Sequence, residues 1–463
     1  MKKYDLIVIG GGAGNKIIPS AIKKNKKVAI IEKDHLGGTC LNRGCIPSKM
    51  MIYPSYIAEE IKNSSKYGFK IDKNIKIDFK SLTEYIYKHV SNDSLKINKK
   101  YRKLDNVDHY KAKAEFKSDK VLKVGSHELT APKIVISVGA RPRIAPIPGL
   151  ENTPYMTSTE ALFNKSLPKK LVIIGGGYIA VELGSAYSAL GCDVHFLVRG
   201  KMVGREDEEI IETFEKEFTK NNNIHKEVST DRVEYKNKTF TTHFTDFQGK
   251  KRRISSDALL VATGVMPNND TLKLKNTKIK TNKYGFINVD KYLETDVKGV
   301  YALGDCVGNY MFRHSANYEA AYISDILFNP KNKKPIKYPP MPHAIFTYPQ
   351  IAGVGLTEKE AKEKKLKFIT VKQMYKDSAM GGDAMRDESG FIKLIIDKNN
   401  RKLLGAHIIG PESSNIIHLF IMNMTYNRKI DDMLSMVYIH PALPEVVRNS
   451  VRKAVSELSP LKK

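Results

Sequence analysis

The strongest constraint on the fold is a unit of strand, glycine loop and helix that occurs twice. The first copy, "YDLIVIGGGAGN", places Gly10 and Gly12 directly after a short apolar run, and "KLVIIGGGYIA" places Gly175 and Gly177 in the same way about 165 residues later. At this spacing the first glycine permits a tight turn, and the second lets the backbone approach a pyrophosphate at a helix N-terminus. Short apolar strands alternating with helices predict doubly wound parallel sheets. We therefore expect two dinucleotide-binding domains.

The two loops differ at the third position of the glycine pattern. Ala180 fills this position in the second unit, whereas Asn15 stands there in the first. Asn15 predicts looser packing between the first helix and its strand. Pro19 follows closely and fits only in the first turn of a helix, where its missing amide hydrogen has no partner to lose.

The residue that ends the second strand of each unit indicates which nucleotide binds. In "VAIIEK" this residue is Glu32, whose carboxylate accepts hydrogen bonds from a free ribose and repels a 2'-phosphate, as suits FAD. In "VHFLVRGKMVGRED" the equivalent residue is Val198, followed by Arg199 and Arg205. Two guanidinium groups without a carboxylate suit a 2'-phosphate, so NADPH is favoured over NADH. Surface arginines beside an NADH site remain the alternative.

Length and composition predict a multidomain protein without a membrane or nucleic-acid partner. The 463 residues exceed what one hydrophobic core supports. The net charge of +27 comes from lysines scattered along the chain, which is typical of a solvated surface and not of a nucleic-acid site. Apolar runs are too short for a membrane span, and "LIVI" is too short for a signal peptide. We expect a cytoplasmic protein.

Two of the four cysteines form the motif "GGTCLNRGCIPSK". On a regular helix Cys40 and Cys45 would lie too far apart for a disulfide, so bridging requires a distorted turn, which Gly44 permits. The N-terminus of a helix that resumes at "IPSK", together with Lys49, would stabilise a thiolate. A zinc site lacks further ligands at suitable spacing, so no metal is predicted. Cys192 and Cys306 are expected to be small buried residues.

These motifs resemble the flavin-dependent pyridine nucleotide-disulfide oxidoreductases, a family that includes dihydrolipoamide dehydrogenase, glutathione reductase, mercuric reductase and mycothione reductase. The stretches "PHAIFTYPQIAGVGLTE" and "IHPALPEVV" are most similar to mycothione reductase and dihydrolipoamide dehydrogenase-like members. The resemblance implies an α/β fold with two Rossmann-like domains and a C-terminal α+β dimerisation domain. The implied domains are an FAD domain at 1–150 and 267–335, an NAD(P) domain at 151–266 and an interface domain at 336–463.

The resemblance also assigns roles to individual residues. Cys45 faces the flavin, Cys40 attacks the substrate disulfide, and His440, oriented by Glu445, acts as general acid and base on the cysteines of the other subunit. Lys49 and Glu182 form an ion pair beside the flavin, and Tyr178 gates the nicotinamide pocket. The implied cofactor-binding residues are Gly10, Gly12, Gly14, Glu32, Lys33, Gly38, Thr39, Gly139 and Asp305 for FAD, and Gly175, Gly177, Tyr178, Arg199, Arg205 and Gly264 for NAD(P).

The substrate remains open at this point. Mercuric reductase and large thioredoxin reductase need a further C-terminal redox pair, and no cysteine follows Cys306. A small dithiol or disulfide is expected, either in a dihydrolipoamide dehydrogenase-like enzyme or in an NADPH-dependent reductase similar to mycothione reductase. A flavin electron-transfer subunit without a free disulfide substrate is the alternative from another class.

Overall fold

Strands and helices alternate along most of the chain in the computed structural model, which describes residues 1–72 and 76–459. The strands, in chain order, are β1 (Lys2–Lys3), β2 (Leu6–Ile9), β3 (Val28–Ile31), β4 (Val107–Tyr110), β5 (Ala114–Ser118), β6 (Val121–Val124), β7 (His127–Thr130), β8 (Lys133–Ile136), β9 (Ala140–Pro142), β10 (Lys170–Ile174), β11 (Asp193–Val198), β12 (Asn223–Lys226), β13 (Ser229–Lys236), β14 (Thr239–Thr245), β15 (Lys251–Ser256), β16 (Ala258–Val261), β17 (Val265–Pro267), β18 (Val300–Ala302), β19 (His343–Ile345), β20 (Ile351–Gly355), β21 (Phe368–Met374), β22 (Phe391–Asp397) and β23 (Leu403–Ile409). The α-helices are α1 (Ile18–Lys23), α2 (Gly38–Arg43), α3 (Cys45–Asn63), α4 (Phe79–Tyr101), α5 (Ser158–Leu162), α6 (Tyr178–Ala189), α7 (Glu208–Phe218), α8 (Arg313–Phe328), α9 (Glu358–Glu363), α10 (Ser413–Thr425) and α11 (Pro444–Leu458).

Two parallel sheets form the centres of the two nucleotide-binding units. The first has the strand order β18-β8-β2-β3-β4, and the second has the order β12-β11-β10-β16. Every pairing within them is parallel. Strands β2 and β3 are buried along their whole length, as expected for strands covered on both faces. The predicted α/β fold class is therefore confirmed.

Smaller sheets extend and connect these units. Strands β1, β7, β6 and β5 form one sheet, and β13, β14 and β15 form an antiparallel sheet beside the second unit. Strands β9 and β17 pair with each other, so the chain enters and leaves the second unit side by side. This ribbon lies near the predicted boundaries at residues 150 and 266, which themselves stay predictions.

The C-terminal part is an antiparallel sheet with helices, as expected for an α+β domain. Its strand order is β19-β20-β23-β22-β21. Apolar residues of α10 and α11 pack with this sheet in one buried cluster, which includes Phe420 and Val447. Residues 460–463, the end of the predicted interface domain, lie outside the described residues.

One core cluster joins the cysteine-bearing helix to the other units. Met51 and Ile52 of α3 pack in the same buried cluster as Val181 of α6 and Ile345 of β19. Residues three and four apart lie on one face of a helix, so Lys49 near the start of α3 approaches α6 as well. The packing of α3 on α6 thus brings the cysteine motif beside the second glycine loop.

Helix α4 is the longest described helix, with 23 residues. Charged side chains recur along it, as in "KINKKY" at its end. Neither α4 nor any other helix within residues 1–72 and 76–459 is long and apolar enough to cross a membrane.

Candidate active site

The backbone of the first glycine loop is not covered by side chains at its glycines. Gly10 has φ +105°, and a Cβ there would lie 2.3 Å from the carbonyl oxygen of Ser137, so only glycine fits. At Gly12 a Cβ would meet nothing closer than the Arg313 guanidinium at 3.7 Å, whereas a Cβ on Gly38 would lie 2.6 Å from the Cα of Gly12. A side chain at Gly12 or Gly38 would fill the space beside the loop backbone. Exposed backbone directly after a strand fits the pyrophosphate of FAD.

The expectation that Asn15 loosens the first unit is wrong. A Cβ on Gly14 would lie 2.3 Å from Oγ of Ser137 and 2.7 Å from Val8, so Gly14 makes the close approach between helix and strand. The Asn15 side chain instead donates a hydrogen bond to the Gly11 carbonyl oxygen at 2.6 Å. The close contact is shifted by one residue, which the spacing rule did not anticipate. Pro19 lies in the first turn of α1, as expected.

Glu32 follows β3 directly, as the sequence predicts. Its Oε2 accepts a hydrogen bond from the Gly11 amide at 2.7 Å, and its Oε1 accepts one from the Asp34 amide at 2.9 Å. Each carboxylate oxygen keeps a further lone pair, which can accept a ribose hydroxyl. Lys33 and Thr39 are exposed nearby in sequence.

Two further residues assigned to FAD lie at the ends of neighbouring strands. Gly139 follows β8 with φ +67°, and a Cβ there would meet nothing within 4 Å. Asp305 lies in the turn after β18, where burial and the Glu319 carboxylate raise its pKa although Arg313 opposes this shift. Strands β8 and β18 pair in parallel, so both residues lie at the same edge of the sheet as the first glycine loop.

The second glycine loop has the same design. Gly175 has φ +135°, and a Cβ there would lie 2.3 Å from the Ala262 carbonyl oxygen. A Cβ on Gly177 would meet nothing within 4 Å, so this loop also exposes backbone that fits a pyrophosphate. Gly264, with φ +110°, follows the neighbouring strand β16.

The side chains after β11 agree with an anion site. Val198 ends the strand, and its side chain packs against Gly176 of the glycine loop. Arg199 and Arg205 follow and are both exposed. Neither forms an ion pair with another residue in the described ranges, which leaves both guanidinium groups available to a ligand.

The cysteines lie on two helices that meet at a break. Helix α2 carries Cys40 and ends at Arg43, and α3 begins at Cys45 after Gly44, whose φ of −143° and ψ of −113° interrupt the helix. This is the distorted turn that the sequence predicts. Both cysteines are free thiols, and they lie close enough for each to shift the pKa of the other.

The surroundings of this pair favour ionisation of Cys40. The hydrogen bond from Cys45, together with the charges of Arg313 and Lys49, lowers the pKa of Cys40 to about 7 although burial opposes the shift. The same hydrogen bond raises the pKa of Cys45. A thiolate is the nucleophile in disulfide exchange, so the lowered pKa favours Cys40 over Cys45 for such a reaction.

Lys49 and Glu182 form the ion pair expected from the resemblance. The Lys49 Nζ lies 2.8 Å from Oε2 of Glu182, whose other oxygen accepts the Phe346 amide at 3.0 Å. The Lys49 ammonium also lies 4.2 Å from the centre of the Phe346 ring. Glu182 lies one helical turn after Tyr178, so the ion pair and the expected gate share one face of α6.

His440 lies just ahead of α11, and Glu445 lies in the first turn of that helix. Nδ1 of His440 is 3.0 Å from Oε2 of Glu445, and the imidazole is 71% exposed whereas the carboxylate is 4% exposed. Arg448 also contacts Glu445, at 2.8 Å. Burial opposes ionisation of Glu445, but hydrogen bonds from His440 and the Ala442 amide hold its pKa below the ordinary value. An ionised Glu445 must accept from Nδ1, which leaves Nε2 free for a substrate.

Apolar residues next to His440 are exposed. Val437 is 98% exposed and Ile439 is 78% exposed in the single chain. Exposed apolar residues grouped around a functional side chain are typical of a surface that another protein covers. This arrangement agrees with an active site shared between subunits.

Several buried charged residues escaped sequence analysis. Three of them are Glu206, Asp207 and Lys393. Asp207 pairs with Lys393, and Glu206 contacts His343 at 2.8 Å, so each contact joins distant parts of the chain. Arg448 could have been found, because it lies three residues after Glu445 on a helix. The others carry no local signal.

The remaining cysteines agree with their expected structural role. Cys192 and Cys306 are buried, and burial raises the pKa of each to about 12. Among residues 1–72 and 76–459 there is no group of three or more side chains suited to hold a metal ion.

Comparison with known proteins agrees with this geometry. The family model described as pyridine nucleotide-disulphide oxidoreductase matches residues 4–320, and the model described as its dimerisation domain matches residues 341–451. The mycothione reductase of Mycobacterium tuberculosis strain H37Rv is 34% identical over 97% of this chain and 99% of its own. The mitochondrial dihydrolipoyl dehydrogenase of Dictyostelium discoideum is 30% identical over 98% of this chain and 94% of its own.

A solved structure shares the whole architecture. The Cu(II) complex of the HOCl-induced flavoprotein disulfide reductase RclA from Escherichia coli superposes with a TM-score of 0.87 at 26% identity, covering 98% of this chain and all of that one. The two family models together span nearly the whole chain. The chain therefore belongs to the pyridine nucleotide-disulphide oxidoreductase family and is an FAD-dependent NAD(P)H disulfide oxidoreductase.

Proposed function

We propose that this enzyme is a cytoplasmic homodimer that uses NADPH to reduce the disulfide of a small thiol. The observation that carries the proposal is the Cys40–Cys45 contact across Gly44, with the pKa of Cys40 lowered to about 7. A lowered thiol pKa suits attack on a disulfide at neutral pH. The free, unbridged Cys192 and Cys306 suit a reducing compartment.

The residues of the chain divide the chemistry between them. The Cys40 thiolate attacks one sulfur of the substrate, the substrate S–S bond breaks, and the first thiolate leaves with a proton from His440 of the partner subunit. Cys45 then gives its proton to the now neutral His440 of the partner subunit, attacks the Cys40 sulfur, releases the second substrate half as a thiolate, and forms the Cys40–Cys45 disulfide. Two electrons have passed from the cysteine pair to the substrate. When bound, FAD supplies the two-electron transfer from the nicotinamide that restores the dithiol.

Residues of both glycine loops would hold the nucleotides. Gly10, Gly12, Gly14 and Gly38 would hold the pyrophosphate of FAD, Glu32 its ribose, and Asp305 its ribitol. Gly175 and Gly177 would hold the pyrophosphate of the nicotinamide nucleotide, with Tyr178 over its ring. Lys49, held by Glu182, would place a positive charge beside the flavin and the thiols.

Steady-state assays with a panel of disulfides test the proposal. The purified yellow enzyme is offered lipoamide, cystine-type and mycothiol-type disulfides, each with NADPH and with NADH. We expect turnover of one small disulfide with NADPH. Normal flavin reduction without turnover of any small disulfide would instead favour an electron-transfer subunit.

The nucleotide preference depends on Arg199 and Arg205. Replacing both by alanine is expected to lower kcat/KM for NADPH by about 30-fold or more, because two charge-assisted contacts to a 2'-phosphate are lost. For NADH the value should change less than about threefold, since no phosphate is present to contact. Arg253→Ala, an exposed arginine of β15, serves as the matched control. Equal losses with both nucleotides would contradict the assignment.

The reaction of Cys40 with an electrophile is expected to slow as the pH falls through about 7, the pKa of Cys40. Below this value Cys40 is a thiol, and each further pH unit lowers the thiolate fraction about tenfold. The measurement is alkylation of the NADPH-reduced enzyme by iodoacetamide across this pH range, with mass spectrometry to identify the labelled cysteine. Arg313→Met should move the midpoint upward because the Arg313 charge lowers this pKa. A midpoint near the ordinary thiol pKa, or labelling of Cys45 alone, would contradict the prediction.

A further inference from the structure

A buried carboxylate holds the expected gate over the second glycine loop. The Tyr178 hydroxyl donates a hydrogen bond to Oε1 of Glu206 at 2.7 Å, and Nε2 of His343 lies 2.8 Å from Oε2 of the same residue. The Glu206 side chain is fully buried. Burial opposes its ionisation, but the hydrogen bonds from His343 and Tyr178 hold its pKa below the ordinary value. Glu206 is therefore an acceptor for both partners.

The position of His343 beside Glu206 is fixed by the C-terminal sheet. His343 pairs with Gly353 across β19 and β20, and a Cβ on Gly353 would lie 2.7 Å from the His343 ring. The imidazole lies nearly parallel to the Tyr178 ring and to the Phe312 ring, at interplanar angles of 15° and 9° and centroid distances of 6.1 and 6.3 Å. His343 is thus fixed between the nucleotide-binding unit and the start of α8.

The loop that carries Glu206 is anchored as well. The next residue, Asp207, accepts hydrogen bonds from Lys393 at 2.8 Å and from the Glu358 amide at 3.0 Å. Asp207 and Lys393 are both nearly inaccessible to solvent. A buried ion pair with these added hydrogen bonds fixes the loop against the C-terminal sheet. Glu206 and His343 are thus both held by the C-terminal sheet, whereas Tyr178 is held by its hydrogen bond to Glu206 and its ring contact with His343.

We propose that Glu206, positioned by His343, latches Tyr178 in a closed position that NADPH must open before its nicotinamide reaches the flavin. Glu206 and His343 are positioning residues for the gate and do not contact the reacting atoms. The latch rests on the proposed function, since it needs Tyr178 to cover the nicotinamide site. A ligand that binds only the open form binds with an apparent affinity reduced by the open fraction.

The test releases the latch in two independent ways. Tyr178→Phe keeps the ring and removes the hydroxyl, and Glu206→Leu removes the acceptor while filling its buried space. Anaerobic stopped-flow reduction of each holoenzyme by NADPH gives a dissociation constant and a limiting rate, and calorimetry gives the affinity for NADP+. Tyr187→Phe is the matched control, because its hydroxyl is buried on the same helix and donates to the Ala161 carbonyl at 2.6 Å.

Each latch variant is expected to bind NADPH and NADP+ about 10-fold more tightly, because the open form is no longer in competition with the latched one. The double variant should bind no more tightly than either single variant, because both remove the same contact. Tyr187→Phe should leave the affinity unchanged. Unchanged or weaker binding in Tyr178→Phe, or additive effects in the double variant, would overturn the latch. A wild-type holoenzyme that NADPH cannot reduce would overturn the proposed function together with the latch.

Discussion

Cys40→Ser and Cys45→Ser are each expected to lower disulfide reduction by about 1,000-fold or more while leaving FAD bound. Both sulfurs are needed, because one attacks the substrate and the other releases the mixed disulfide. The structure predicts different spectra for the two variants. The hydrogen bond to Cys40 is the main cause that raises the pKa of Cys45, and the Lys49 charge lowers it.

Removing Cys40 should therefore let Cys45 ionise near neutral pH. If Cys45 faces the flavin, Cys40→Ser will show a thiolate-to-flavin charge-transfer absorbance without added reductant, and Cys45→Ser will not. Cys192→Ser is the control, since Cys192 is a buried core residue just before β11 and should keep full activity. If Cys45→Ser shows the charge-transfer absorbance and Cys40→Ser does not, the roles of the two cysteines are the reverse of those proposed.

The parts of the site that sequence analysis predicted are those encoded in short contiguous stretches. The G-x-G loops follow their strands, Glu32 and Val198 end theirs, and His440 and Glu445 lie five positions apart. In each case a turn or one helix start fixes the geometry, so spacing alone identifies the partners. Gly14 shows where spacing fails, because the closest contact with Ser137 depends on how the helix lies on the sheet.

Contacts between units could not be predicted in this way. Glu206 and His343 are 137 positions apart, and Asp207 and Lys393 are 186 apart. Charged side chains are usually exposed, so the run "REDEE" reads as the solvated start of a helix. Only the packing of the second unit on the C-terminal sheet buries two of these carboxylates and supplies their partners.

His440→Ala is expected to lower kcat/KM for the disulfide by about 100-fold, in the range that a positioned general acid contributes. Reduction of the flavin by NADPH should be unchanged, because His440 acts only on the substrate thiolate. Glu445→Gln should lower the same kcat/KM less, by about 10-fold, since glutamine keeps a hydrogen-bond acceptor for Nδ1 and loses only the charge. His418→Ala, an exposed histidine of α10 in the same domain, is the matched control and should keep its activity.

Mixed dimers decide whether His440 serves its own chain or the other one. His440→Ala is inactive because it lacks the imidazole, and Cys40→Ser is inactive because it lacks the thiol nucleophile. When the two chains are co-expressed in equal amounts, half of the dimers are mixed, and each mixed dimer holds one site with an intact Cys40 and the intact His440 of the partner subunit. Shared sites therefore restore about one quarter of the wild-type activity, given a two-fold symmetric dimer with random pairing. If His440 acted within its own chain, no site in any mixed dimer would be complete, and co-expression would restore nothing.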